Sequence, residues 1–515
     1  MARKPKIKPI NKRPVHVINK GYSDAGASHK KRALKGFKAQ SGSPREDIDF
    51  NNYTLRQRAR MLYMAAPIAT SAIKTNRTNV IGQGLRLSSR IDRDVLGMSA
   101  EAAAAWQRKT EKEFAIWAEN RIACDAMGLN DFYELQQVAF TAWLLSGDVF
   151  CLFKNGKKSD VNPYNIRLQL IEADRVATKT AWNVGSGRLT EGENPENHNM
   201  IYDGVEVDKA GQVVAYHIRS TYPFEFTKKQ TEWYRIEAIG KETKMPNILH
   251  IMDAERPDQY RGVSYLACVI EPLLQLRRYT ETEINAALIE SCFAGFIKTE
   301  ARPDDVPMNE TGQVEPDEPS NPDEFNFGPG EINVLKPGED ITFSDPKRPA
   351  NGFGTFTRSV AEQVGAALEI PADLLLKAFN ASYSASRGAL LEAWKAFRMR
   401  RAWFIKDFCK PVYENWLAEA VALGRVNAPG FFADPAIRKA YSGSEWTGPS
   451  QGQLNPVQEI QAEILAVQHG FSTHEQSTAR LNGGNWNHNV ETLAQETKAL
   501  AKAQEVQTNG NTNGN

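Results

Sequence analysis

The chain has 515 residues, a net charge of +1 and 41% hydrophobic residues, which is enough apolar material for several domains. The near-neutral charge argues against a general DNA-coating protein, because neutralising phosphates normally requires a basic surface. No run of about 18 apolar residues is present, so no membrane-spanning helix is expected. The cysteines lack both the paired spacing of a zinc site and the density of a disulfide framework, which indicates a reducing compartment; they are Cys124, Cys151, Cys268, Cys292 and Cys409.

Charge is distributed by segment along the chain. Residues 3–38 contain twelve lysines and arginines and one acid, and they show no apolar periodicity. Residues 1–52 are therefore predicted to form a flexible basic tail. This tail is either a solvated extension or a transient contact for DNA or an acidic partner. Residues 300–331 have the opposite composition, with ten acids and one arginine.

Four helices are predicted before residue 150. Apolar residues at helical spacing indicate a first helix from about Tyr53, and Pro67 suits the first turn of a second helix ending at Gly82. A third helix is expected from Ser99, a suitable N-cap, to Glu119. A fourth follows Asn130 and ends at 146–148, where Ser-Gly-Asp precedes an apolar strand.

The pattern then changes to strands as far as about Met252. The runs 149–153 and 166–171 are rich in apolar residues, as expected of buried strands. Residues 205–207 and 213–218 flank Lys209-Ala210-Gly211, which predicts a β-hairpin.

A helix, a small β insert and a second helix are predicted in the middle of the chain. The first helix is expected from Gly262 to Ser291 with a possible kink at Pro272, and the second from Phe353 to Leu368. Between them we expect a strand at 294–298, an acidic proline-rich loop, and a hairpin formed by 331–335 and 341–343. Two helices that bracket such an insert would project it from the body like a knob on a stalk.

The remaining chain is predicted to be mainly helical. Residues 378–386 are rich in small and polar residues, and a long helix is expected from Arg387 through Ala422. Asn455-Pro456 is a good cap and first-turn pair for a later helix, and 506–515 form a polar tail expected to be disordered.

A search for catalytic motifs favours a non-enzymatic protein without cofactor or metal. No phosphate-binding Gly-x-x-x-x-Gly-Lys-Ser/Thr loop is present, and Gly82-Gln83-Gly84 lacks the third glycine of a dinucleotide site. Gly262-Val263-Ser264 lacks the closing glycine of a nucleophile elbow. His469 and His474 are five residues apart, a spacing that favours ordinary surface histidines over a shared metal.

The segment Ile248-Leu-His-Ile-Met-Asp-Ala-Glu-Arg-Pro-Asp-Gln-Tyr-Arg-Gly-Val-Ser-Tyr-Leu266 and the helix after it resemble the lambda-type portal proteins of tailed bacteriophages. Other matching segments occur in the same order along the chain. The similarity extends over roughly Tyr53 to Gly484, and its weight comes from the ordered series of segments, which are 55–79, 144–150, 168–174, 370–371 and 382–384.

The resemblance implies an α+β subunit of a ring, usually a dodecamer, at one vertex of the capsid. Such a ring conducts double-stranded DNA during genome packaging and ejection. Its implied partners are copies of itself, double-stranded DNA, the terminase large subunit, the major capsid or scaffold protein, and a head-completion or adaptor protein. Assembly in the host cytoplasm and residence in the virion, with no membrane, are expected.

The resemblance also implies a division of the chain. It implies a wing at 53–260, a first stem helix at 261–292, a clip with an acidic proline-rich insert at 293–349, a second stem helix at 350–377, a tunnel loop at 378–386, and wing and crown helices at 387–505.

Candidate contact residues follow from this division. In a closed ring, every residue facing the axis is repeated around it, and a sliding duplex tolerates few circles of positive charge. The candidates for DNA contact in the tunnel are Lys377, Asn380, Ser382, Tyr383, Arg387 and Arg358. The clip residues expected to face terminase or an adaptor are Lys298, Glu331, Lys336 and Asp340. Each DNA candidate has an alternative interpretation as ordinary helix-end or surface polarity.

Two other functions remain open at this point. A scaffold or minor capsid protein would share the absence of catalytic motifs. Rings that close without capsid subunits, with a β knob on a helical stalk, would argue against it. A DNA-packaging nuclease would need several acids converging on a metal, and convergence is not visible in one sequence.

Overall fold

The computed structural model describes residues 27–28, 31–37, 39–159, 162–179, 191–223, 225–226, 230–291, 295–299, 339–343, 352–379, 382–452, 455–487, 489–490, 492–498 and 500–501. Helices and antiparallel sheets are combined in these residues, which confirms the predicted α+β class.

The first part of the chain is helical, as the apolar spacing predicts. Pro67 is the first residue of its helix, Ser99 accepts a hydrogen bond from the Ala102 amide, and Asp131 forms a capping box with Glu134. The elements are α1 (Phe50–Ala65), α2 (Pro67–Val80), β1 (Arg86–Ser89), α3 (Arg93–Leu96), α4 (Ala100–Ala118), α5 (Arg121–Cys124) and α6 (Phe132–Ser146).

Two antiparallel sheets follow. The first contains β2 (Asp148–Asn155), β3 (Ile166–Glu172) and β9 (Ile248–Met252), in the order β3-β2-β9. The second is a five-stranded meander of β4 (Glu191–Glu193), β5 (Met200–Tyr202), β6 (Val205–Val207), β7 (Val213–Arg219) and β8 (Trp233–Glu237). The hairpin predicted around Lys209-Ala210-Gly211 is confirmed as the β6–β7 pair.

The helix–insert–helix segment is present with different limits. α7 (Ile270–Ser291) is followed by β10 (Gly295–Thr299), and β11 (Glu339–Phe343) precedes α8 (Phe353–Ala367). The predicted start of α7 at Gly262 is wrong, since 262–266 are not helical and a short 3-10 turn covers 267–269. Pro272 is therefore in the first turn of α7, where a missing N–H breaks no intrahelical bond, and does not kink the middle of a longer helix.

The strand partner of β11 among the described residues is β10, with Lys298 opposite Asp340. The hairpin predicted between 331–335 and 341–343 has its first strand outside the described residues.

The C-terminal part contains α9 (Ala372–Leu376), α10 (Tyr383–Phe404), a π-helical turn (Ile405–Cys409), α11 (Lys410–Ala422), α12 (Pro435–Tyr441), β12 (Ser444–Thr447), α13 (Pro456–Gln468) and α14 (His474–Asn482). β12 pairs with β1, which joins the two halves of the chain. The long helix expected from Arg387 begins four residues earlier, at Tyr383, and the cap at Asn455 is confirmed by its hydrogen bond from the Gln458 amide.

Two apolar cores stabilise these elements. The larger core joins the N-terminal helices, the three-stranded sheet and α10–α11, with Phe114 in edge contact with Phe132, Tyr413 and Trp416. The smaller core lies between the two sheets and contains Phe150 and Tyr216.

Two glycines bring the ends of distant segments into backbone contact. Gly147 ends α6 with a φ of 87°, and a Cβ on Gly262 would lie 1.9 Å from the Gly147 carbonyl oxygen. The Asn52 side-chain amide donates to the Gly262 carbonyl at 3.0 Å. Only a residue without a side chain fits at position 262, so the segment leading to α7 is seated directly on the end of α6.

We predict that Gly262→Ala lowers the free energy of unfolding by about 3 kcal/mol or more, because the new methyl group must displace backbone. Urea unfolding of the chain, at a concentration low enough to keep it monomeric, measures this change in the free energy of unfolding. The matched control is Gly354→Ala in α8, where an added Cβ meets no atom within 4 Å. The control should be neutral or stabilise by about 0.5–1 kcal/mol, and equal midpoints for the two variants would contradict the contact.

Candidate functional site

The connection between α9 and α10 is shorter than the loop expected at 378–386. Tyr383 begins α10, and the Ser386 amide donates to the Ser382 carbonyl at 2.9 Å, so the second half of the expected loop is helical. Asn380 lies outside the described residues, as does the side chain of Tyr383. The described part of the connection exposes Phe379 and Ser382, and the hydroxyls of Ser382 and Ser384 are 3.4 Å apart.

Lys377 ends α9 in the left-handed conformation, with a φ of 57°. Its ammonium group donates to the buried hydroxyl of Thr75 on α2 at 2.9 Å. The Ser71 hydroxyl, one turn earlier on α2, donates to the Leu375 carbonyl at 2.6 Å. α2 therefore holds the end of α9 at two points.

The other two basic candidates pair with carboxylates of their own chain. Arg358 of α8 donates to Glu362 at 3.1 Å and to Asp373 of α9 at 3.0 Å. Arg387 of α10 lies 3.5 Å from Glu459 of α13. Both charges are thus partly compensated within one subunit, whereas the hydroxyl that Lys377 contacts carries no charge.

A second clamp holds the turn between α8 and α9. Glu369 has a φ of 55°, an unfavourable conformation for a residue with a side chain. The buried guanidinium of Arg400 donates to the Glu369 carboxylate at 2.5 Å and to Asn76 of α2 at 3.1 Å. The hydroxyl of Tyr265 donates to the Leu368 carbonyl, and burial raises the pKa of Tyr265 to about 12. These contacts fix the turn that leads into α9.

Tyr265 belongs to the segment that leads into α7, and this segment is itself anchored by a buried arginine. Arg261 is fully buried and forms a bidentate pair with Asp148, at 2.6 and 3.2 Å. It also donates to the Asp203 carboxylate at 2.8 Å and to the Ala173 carbonyl at 2.9 Å. All three nitrogens of the guanidinium therefore donate hydrogen bonds.

Arg56 of α1 is buried in the same cluster. Its guanidinium nitrogens lie 3.8 Å from Asp148, 3.6 Å from Asp174 and 3.5 Å from Asp203. Burial on its own would raise the pKa of Asp148, but Arg261 and Arg56 outweigh it and hold that pKa well below its usual range. Asp148 therefore stays ionised between the two arginines.

Asp49 adds a further carboxyl group to the cluster. It is buried, and its Oδ1 atom has no hydrogen-bond partner among the described residues. Burial, together with the carboxylates of Asp203 and Asp148, raises the pKa of Asp49 to about 7 despite the nearby Arg261 and Arg56.

Sequence patterns do not single out Arg56 or Arg261 as important residues. One signal was available for Arg56, because Asn52, Arg56 and Ala59 share the buried stripe of α1 with Leu62. A charged residue on a buried stripe requires an opposite charge. The identity of that partner depends on segments about 90 to 150 residues away, which periodicity does not reveal.

The clip candidates are only partly described. Lys298 and Asp340 are cross-strand partners in the β10–β11 pair. Glu331 and Lys336 lie outside the described residues.

The described side chains include no group of three or more His, Cys, Asp or Glu suited to bind a metal ion. In the same ranges, none of the helices combines the length and apolar composition that crossing a bilayer requires.

Comparison with known proteins identifies the family. A family model described as phage portal protein, lambda family, matches residues 30–401, which is more than half of the chain. The chain belongs to the lambda family of phage portal proteins. The resemblance drawn from the segment Ile248–Leu266 and the ordered segments is thus confirmed, and the chain is a portal ring subunit for DNA packaging.

Portal relatives match along most of this subunit. Portal protein B of Escherichia phage lambda is 22% identical over 459 residues, which cover 85% of this chain and 83% of the relative. The portal protein of Escherichia phage N15 is 21% identical over 430 residues, covering 80% and 78%. A chain from the neck of a native gene transfer agent particle, computed with C12 symmetry, is 15% identical with a TM-score of 0.42, covering 84% of this chain and 93% of that chain.

We predict that Asp49→Asn stabilises the subunit at neutral and alkaline pH. An acid whose pKa is higher in the folded state favours folding at low pH, and this contribution falls as pH rises from about 4 to about 7. Urea unfolding midpoints between about pH 5 and 8.5 should therefore separate progressively, with the variant more stable at the upper end.

Asp47→Asn is the control for this measurement, because Asp47 is exposed and pairs with Arg256 at 2.6 Å on the surface. Its effect on stability should be small and should change little over the same pH range. Parallel pH profiles for Asp49→Asn and the parent chain would contradict the raised pKa.

Proposed function

We propose that this portal subunit contacts DNA through the connection between α9 and α10. The observation that carries the proposal is the set of hydrogen bonds that hold the helix before this connection. The helix α9, which precedes the exposed connection, is held at its end by the hydrogen bonds that join Leu375 and Lys377 to α2. It is held at its start by the contact of Arg400 with Glu369. A loop with a rigid base can hold a constant distance from a moving duplex.

The proposal assigns the remaining segments as the family resemblance implies. α7 and α8 form the stem, the β10–β11 pair belongs to the clip, 53–260 form the wing, and 387–505 complete the wing and crown. The aromatic side chains of Tyr279 in α7 and Phe356 in α8 are in contact, with ring centroids 5.0 Å apart, which supports a paired stem. The order of helix, β pair and helix supports a clip between the two stem helices.

The charges near the connection fit a channel in which DNA slides. Because Arg358 and Arg387 are paired with carboxylates, a ring of subunits would present fewer uncompensated positive charges than the sequence suggests. Lys377 then becomes the main basic contributor, and Ser382 and Asn380 add neutral polar groups. A single circle of lysines attracts phosphates without the strong binding that many circles would cause.

The proposed role is that of a non-enzymatic conduit at the capsid vertex. The ring, which we propose to be a dodecamer, would conduct double-stranded DNA during packaging and ejection. Its clip, including Lys298, Glu331, Lys336 and Asp340, would face the terminase large subunit and later the head-completion or adaptor protein. The major capsid or scaffold protein would surround it, after assembly in the host cytoplasm. The structural character of the portal family supports this role.

We predict that replacing 380–382 by glycines leaves ring assembly intact and impairs DNA packaging or retention. The replacement stops before Tyr383 so that the first turn of α10 is preserved. Electron micrographs of the purified particle check assembly, and packaging in an extract checks function. Glycine replacement of Lys209 and Ala210, in the exposed β6–β7 turn, is the control. Normal packaging by intact rings with the altered loop would refute the DNA contact, and a strictly monomeric parent chain would refute the ring.

We predict that Lys377→Gln weakens the affinity of assembled rings for short duplex DNA about tenfold at low salt and reduces the salt dependence of binding. Lys377→Arg, which keeps the charge, should restore most of the affinity. Lys395→Gln removes an exposed charge from α10 and should have little effect, since Lys395 pairs with Glu392. Equal affinities for Lys377→Gln and Lys395→Gln would exclude a charge contact at 377.

A further inference from the structure

The helix α13 presents its carboxylates to its own subunit. Glu459 pairs with Arg387 of α10 at 3.5 Å. Glu463, one turn later, accepts hydrogen bonds from Arg480 and Ser477 of α14, both at 2.7 Å. Ala466 and Val467 complete this inward side and are partly buried. The polar contacts thus fix which way the helix faces.

The other side of α13 carries large aliphatic residues that face solvent. Val457 is 66% exposed, Ile460 41%, Ile464 49% and Leu465 54%. None of the residues of α13 is fully buried within the subunit. Phe471, just beyond the end of the helix, is 85% exposed.

This arrangement is the reverse of an ordinary surface helix, which buries its apolar side and exposes its charges. Four adjacent aliphatic side chains in water are unfavourable, and such exposed apolar patches typically mark interaction sites. Because the apolar side of α13 faces away from its own subunit in the structure, its cover must come from elsewhere.

The end of the chain is poorly suited to provide this cover. Residues 502–515 contain a single branched aliphatic residue, Val506, and are otherwise mostly polar residues and glycine. A second copy of the chain is better suited, because every subunit of a closed ring lies between two identical neighbours. The core of an interface between subunits is typically apolar with a polar rim, as on this face of α13.

We propose that the outward face of α13 docks on a second copy of this chain in the ring. The contact between Glu459 and Arg387 places α13 beside the beginning of α10 and so next to the proposed tunnel loop, which would lie near the ring axis. The helix α13 lies C-terminal to the residues that the family model matches, 30–401. The inference rests on the portal function stated above.

The test uses the full chain with Ile460→Gln and Ile464→Gln combined. The double variant should raise the subunit concentration at which half of the chains are in rings by about tenfold or more, because two aliphatic side chains no longer leave water on assembly. Mass photometry over a dilution series measures this concentration. Because both residues are exposed in the isolated subunit, its thermal unfolding temperature should stay the same.

The matched control is Ala462→Gln, which adds the same amide at an exposed position of α13 that is not part of the aliphatic face. It should leave the assembly concentration within about twofold of the parent value. Unchanged assembly of the double variant would overturn the proposal and assign the face to a different protein. A lower unfolding temperature of the isolated double variant would also overturn it, because the cover would then be part of the same chain, such as its N-terminal tail. Absence of rings from the parent chain itself would refute the portal ring before this contact is considered.

Discussion

Two fully buried arginines, Arg56 and Arg261, form the interaction on which the rest of the subunit depends. Moving a guanidinium out of water costs several kcal/mol, and only close carboxylates with good geometry offset that cost. Asp148 and Asp203 supply them, from the start of β2 and from the turn after β5. Removal of one partner from such a pair typically costs about 3–5 kcal/mol, because the remaining charge stays buried. The cluster therefore forms only when α1, both sheets and the segment before α7 are assembled together.

A continuous set of contacts connects this cluster to the proposed DNA-contacting loop. Gly262 follows Arg261 and rests on Gly147, and Tyr265 then reaches the turn between α8 and α9. Arg400 holds the same turn, and α2 holds the end of α9 through Thr75. Because each step is a direct hydrogen bond or backbone contact, α9, which precedes the loop, should move with the body of the subunit. A helix anchored in this way would suit the proposed role of the loop that follows it.

Two surfaces of the isolated subunit fit its proposed assembly into a ring. Two of its candidate DNA contacts, Arg358 and Arg387, are paired with carboxylates of the same chain. The large aliphatic residues of α13, in contrast, face outward, and the carboxylates of this helix lie on its inner side. In the proposed ring, ion pairs within each subunit would therefore leave few free positive charges near the DNA and an apolar face toward a neighbouring copy.

The sequence alone determined the local features of this protein. Helices capped by Ser99 and Asn455, the α6 terminus at Gly147, and the β6–β7 hairpin are all predictable because neighbouring residues decide them. The order of matching segments was also enough to identify the portal family. Periodicity misplaced the beginnings of two helices. The contact of Gly262 with Gly147 excludes an earlier start of α7. The small and polar residues before Arg387 hide the first turn of α10. Only the tertiary structure decided that Arg56 and Arg261 share one cluster, that Lys377 contacts Thr75, and that α13 faces its apolar side outward. Those outcomes depend on charges and backbone atoms far apart in the chain, and residue spacing carries no information about them.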